Sequence, residues 1–134
     1  MFNVSLITVA KLSLAFLWFF TALTSLFLAP EIGYEILGGA GIEGSTADIL
    51  VVGGSLVDVA MGVWLLSSRA TKLCCLVQVC LIVCYSIFLT FIDASFWFHP
   101  FGPLTKNVPI VALIILIYSS SVVSKDARIG KERL

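Results

Sequence analysis

The run KLCCLVQVCLIVCYSIFLTF, from Lys72 to Phe91, carries one charge, at its first residue, and one carboxamide, Gln78. At about 1.5 Å of rise per residue a helix of this length measures about 30 Å, the thickness of a bilayer's hydrocarbon core. A soluble helix of the same length would need a charged or strongly polar stripe to meet water, and this run has none. It is predicted to be a transmembrane helix.

Working outward toward the N-terminus, a short basic turn with Arg69 and Lys72 leads back to ILVVGGSLVDVAMGVWLL, Ile49 to Leu66, a second span with Thr46 and Asp48 as candidate N-caps. Before it comes a Gly-rich acidic loop containing Glu31, Glu35, Gly38, Gly39, Gly41, Glu43 and Gly44. The first span is then Ser5 to Leu28, with Lys11 placed to snorkel near its start and Pro30 closing it. Its apolar part, Leu12 to Leu28, is longer than a signal-peptide h-region and no small-x-small cleavage site precedes Pro30, so it is expected to stay attached. Toward the C-terminus, Asp93 to Lys106 is too apolar for a solvated loop and too rich in Pro and Gly for a helix. The fourth span is Val108 to Val123, with Asn107 as a candidate cap and Pro109 in the first turn.

Hydrophobic residues make up 60% of the chain and charged ones 12%, a balance far from that of soluble domains. The predicted fold class is therefore all-α: one integral membrane four-helix bundle over residues 1–134, with helices at about 5–28, 49–66, 72–91 and 108–123. An interfacial Pro/Gly/aromatic loop joins helices 3 and 4, and residues 124–134 form a basic tail. Lys11, Arg69, Lys72, Lys125, Arg128, Lys131 and Arg133 fall on one side and only Lys106 on the other, which predicts both termini in the cytoplasm. The formal net charge is zero and no basic run interleaves with aromatics, so nucleic acid is not an expected partner. Cys74, Cys75, Cys80 and Cys84 all lie in one apolar run without ligand spacing, so neither a disulfide framework nor a metal site is expected.

Two groups of residues could carry chemistry. A carboxylate at mid-depth costs a few kcal/mol on insertion scales, which makes Asp58 a candidate site. Gly54, Asp58 and Gly62 recur at spacing four, turning the acid toward a close-packed face, with Lys11, Gln78, Tyr85 and Thr21 as possible partners. Cys74, Gln78 and Tyr85 share a helix face, so Asp58, Gln78 and Tyr85 form a candidate intramembrane polar site, for interhelix hydrogen bonding or for proton transfer. The second group is Trp97, His99, Phe101, Lys106 and Asn107 in the third loop. Aromatic rings beside a titratable imidazole and a cation suit the head group of a quinone; an interfacial plug would use the same residues.

The same loop carries a family resemblance. WFHPFGPLTKNVP, Trp97 to Pro109, resembles the signature of DoxX-like membrane proteins, small four-helix proteins of bacterial inner membranes. KLSLAFLWFFTALTSLF from Lys11 to Phe27 and LVDVAMGVWLL from Leu56 to Leu66 resemble that family's first and second helices, so the likeness covers about residues 11 to 120. Asp58, His99, Pro100, Gly102, Pro103, Lys106 and Asn107 stand at family-pattern positions. The resemblance implies a redox setting: the family's name comes from a membrane subunit associated with thiosulfate:quinone oxidoreductase, and some similar segments are fused to an NAD(P)-binding domain. This chain has no G-x-G-x-x-G after a strand, so nucleotide chemistry would come from a partner.

The expected function is a membrane subunit or anchor of a redox complex, with quinone as the cofactor to consider and a soluble dehydrogenase as the partner. A proton-coupled transporter or channel using Asp58, in a homo-oligomer that completes its path, is the alternative. An autonomous enzyme is disfavoured because no nucleophile with a base, cofactor motif or metal set is legible.

Overall fold

A computed structural model describes the backbone of residues 4–100 and 102–132, and the side chains of 6–100 and 102–123. Phe101 and the basic side chains Lys125, Arg128, Lys131 and Arg133 lie outside the described residues. The described chain is all-helical, without strands. Its α-helices are α1 (Val4–Leu23), α2 (Pro30–Gly39), α3 (Gly44–Ser67), α4 (Thr71–Ile92) and α5 (Asn107–Glu132).

Among the described residues, three stretches are long and apolar enough to cross a bilayer: Leu6–Leu28, Gly44–Ser67 and Thr71–Ile92. Asn107–Val123 is a shorter apolar helix, about 26 Å by its rise per residue. Large apolar side chains such as Phe16, Phe27, Leu56, Leu76 and Ile87 stand half exposed or more. Water would penalise such a surface, whereas lipid does not. The chain is thus a multi-pass membrane protein in contact with lipid.

By contacts the chain divides into two units, Ser13–Ser67 and Met1–Leu12 with Ser68–Leu134. In the first, α1 ends in a π-helical turn, Thr24–Leu28, and Ala29 leaves helical geometry at φ −151°. Pro30 then does more than close the first span: it occupies the first turn of α2, where a missing N–H costs nothing. The loop expected at Glu31–Gly44 is therefore corrected to a ten-residue helix followed by a short turn. Its IGYEIL core supplies an apolar side, and Leu37 is buried. The expected caps Thr46 and Asp48 are also corrected, because α3 begins earlier, at Gly44, and includes both. Asp48 instead accepts a 2.9 Å hydrogen bond from the Tyr34 hydroxyl, which pins α2 to α3. That bond to a carboxylate, with some desolvation, holds the Tyr34 phenol above its ordinary pKa.

In the second unit, the α3–α4 turn is tight enough to place Ser68 and Ala70 at φ +53° and +48°. The Lys11 ammonium donates to the Ser68 hydroxyl at 3.1 Å, bringing the cation of α1 to the turn that carries Arg69. α4 packs against α5, and the loop between them folds back onto α4.

Candidate functional site

The end of α4 and the loop after it build an open groove against α5. Asp93 terminates α4 in extended geometry, and its carboxylate accepts the Ser95 N–H at 2.8 Å, opening a 3-10 turn over Ala94–Trp97. Hydrogen bonds from Ser95 hold the Asp93 carboxyl below its usual range. The turn carries Trp97 back along α4, where its indole N–H donates to Thr90 Oγ1 at 3.0 Å. The Thr90 hydroxyl in turn donates to the Ser86 carbonyl at 2.6 Å. At the start of α5 the Asn107 amide donates to Ser86 Oγ at 2.9 Å.

Two features of the loop make this closure possible. Gly102 sits at φ +50°, and a Cβ there would run into Thr105 Oγ1, so only glycine fits. Two residues on, Leu104 is fully buried and anchors the loop. The result is a groove of about 560 Å³ between α4 and α5, lined by Val83, Ile87, Phe91 and Val108 with Ser86, Thr90, Trp97 and Asn107 among them, and its open surface is almost wholly apolar. This size falls within the range of small-molecule sites, roughly 300–1,000 Å³.

Of the loop residues singled out from sequence, Trp97 and Asn107 line this groove. His99 and Lys106 do not line it and are exposed. Their backbones brace the turn: the His99 carbonyl accepts the Gly102 N–H at 2.8 Å, and the Lys106 N–H donates to the Gly102 carbonyl at 3.1 Å. Asn107 is the first residue of α5, with its side chain bonded across to α4. Sequence reading passed over Ser86 and Thr90. Their spacing of four at the last turns of a span was the available signal, but hydroxyls there commonly bond only to the preceding turn.

The intramembrane candidates are placed differently. Asp58 is buried at 6% exposure in α3 and makes no hydrogen bond among the described residues. Ser55, one turn earlier, is buried too, and its hydroxyl donates back to the Val51 carbonyl at 2.8 Å. Of the partners expected for Asp58, Lys11 donates to Ser68 and Thr21 to the Leu17 carbonyl. Gln78 is fully buried, its amide donating to the Cys74 carbonyl and sulfur at 3.4 Å each. Tyr85 is 41% exposed. Among the described residues no group of three or more His, Cys, Asp or Glu could hold a metal ion.

No curated protein matches the chain, and no solved structure matches it. The sequence model described as the DoxX-like family matches residues 15–115, a stretch that includes Asp58, the whole loop and all the residues that line the groove. The chain belongs to the DoxX-like family.

Proposed function

We propose that this protein is the membrane subunit of a quinone-linked redox complex in the bacterial inner membrane, a four-helix bundle with both termini in the cytoplasm. The observation that carries the proposal is the α4–α5 groove, whose almost wholly apolar lining suits a prenyl tail and whose Trp97 offers a ring for a quinone to stack on. A soluble dehydrogenase supplies the electrons, because the chain carries no nucleotide motif. His99 and Lys106, exposed on the loop leading to the groove, are the groups available to pass protons or meet head groups. The orientation is supported by the Lys11–Ser68 bond, which gathers Lys11 with the Arg69 turn as a positive-inside face requires.

Filling the groove tests the proposal. Val83→Trp is expected to cut the quinone retained per mole of purified protein by about tenfold or more, the effect of losing roughly 1.4 kcal/mol of binding. Val63→Trp, at an exposed position of α3, is the control. Equal quinone in both variants, or none in the wild type, contradicts the groove reading.

A second reading is favoured by one observation: Asp58 is buried in a span without a hydrogen bond among the described residues. Acids retained in that state mark ion and proton pathways. On this reading the chain is a proton-coupled transporter or channel whose path a homo-oligomer completes.

A further inference from the structure

α4 carries two pairs of thiols with opposite fates. All four are free thiols, Cys74 and Cys75 buried and Cys80 and Cys84 exposed. Cys80 and Cys84 are the tenth and fourteenth of the helix's 22 residues. Four residues apart, they sit one above the other on the same face of the helix. Around them on the same exposed side stand Leu76, Val83 and Ile87, so the pair faces the middle of the hydrocarbon layer. Cys80 also lines a second groove between α4 and α5, about 470 Å³ in volume, together with Cys75 and Tyr118.

Geometry separates what such a pair can do. A disulfide requires Cβ atoms about 3.5–4.5 Å apart, while residues one turn apart on a helix hold theirs about 5–6 Å apart. Direct oxidation within the pair would therefore distort α4. A single atom bonded to both sulfurs relieves the mismatch, because two metal–sulfur bonds of about 2.3 Å in line hold the sulfurs about 4.6 Å apart. Charge then selects the metal. Zinc takes four ligands and the pair offers two. A monovalent cuprous ion between two thiolates leaves a net negative charge in hydrocarbon, which costs several kcal/mol. A soft divalent ion content with two ligands leaves a neutral complex.

We propose that Cys80 and Cys84 form a lipid-facing site for a soft, two-coordinate divalent cation delivered as a neutral complex, mercuric ion being the type. In binding mercuric chloride, each thiol gives up its proton and forms a sulfur–metal bond while one metal–chloride bond breaks. Two molecules of hydrogen chloride leave and no electrons are transferred. Only a neutral, lipid-permeant donor reaches the site, because the thiols lie in the centre of the span.

The experiment is titration of the purified full chain in lipid vesicles with mercuric chloride, read by the ultraviolet charge-transfer band of mercury thiolate and by the count of remaining thiols. One metal per chain is expected, with two thiols lost. Cys80→Ala and Cys84→Ala are each expected to weaken binding by about a hundredfold or more, since the second sulfur acts at high effective concentration. The Cys74→Ala, Cys75→Ala double variant keeps wild-type binding, and a membrane-impermeant sulfonated mercurial leaves the pair unmodified. Both positions are exposed, so alanine there preserves the fold, checked by monodisperse elution. The proposal is overturned if the metal binds at Cys74 and Cys75, if either single variant binds as wild type, or if metal bridges two chains.

Discussion

Replacing Asp58 by leucine is expected to raise stability, by about 3 kcal/mol, the difference between the two side chains at the centre of a membrane helix on insertion scales. The reason is local. The carboxyl is 6% exposed and forms no hydrogen bond among the described residues, so its removal loses no such bond and abolishes a desolvation cost. Apparent insertion energy of the α3 segment and thermal unfolding of the whole chain in detergent both report on this. A loss of stability would mean that Asp58 holds the bundle together, and the pathway reading would fall. A gain accompanied by loss of proton-coupled transport would favour that reading, since a residue kept against stability is kept for another purpose.

The opposite sign is expected at Gly62. A Cβ placed there comes within 2.8 Å of the Phe19 ring at Cε1 and Cζ, closer than real contacts allow. The ring is rigid and cannot curl away as a lysine or methionine end would. Gly62→Ala is therefore expected to destabilise the protein by about 1–3 kcal/mol, the usual range for overpacking. Phe19→Leu, by making room, should recover much of that loss, so that the double variant is more stable than the sum of the singles predicts. Simple additivity in a thermal unfolding series would show that α1 and α3 do not meet at this point.

Three of the four predicted spans were legible because length and apolarity alone set them, and they coincide with helices long enough to cross; the fourth stretch coincides with Asn107–Val123, an apolar helix below that length. What sequence missed lies where one residue serves two elements. Pro30 was read as a stop, and it is also the start of α2, because a residue that cannot continue one helix is well suited to open the next. Asp48 and Thr46 have the chemistry of caps, but tertiary context carried α3 back to Gly44 and gave Asp48 to Tyr34.

The loop illustrates a different limit. Its density of Trp, His, Pro and Gly made it a candidate site, and the family resemblance carried by WFHPFGPLTKNVP agrees with the family match over residues 15–115. Sequence grouped Trp97, His99, Lys106 and Asn107 as one cluster. Backbone geometry at Gly102 separates them, sending Trp97 and Asn107 to the α4–α5 groove and leaving His99 and Lys106 exposed outside it. The groove's other polar members, Ser86 and Thr90, sit in an ordinary apolar helix and gain meaning only from what folds onto them.

The central claim is that this chain holds quinone on behalf of a redox partner. Its most direct test is gentle affinity purification of the full chain from native membranes, with mass spectrometry of both the proteins and the lipids that accompany it. The account predicts near-stoichiometric quinone together with a soluble dehydrogenase. Recovery of the chain with neither would contradict it and leave Asp58-dependent transport as the reading to pursue.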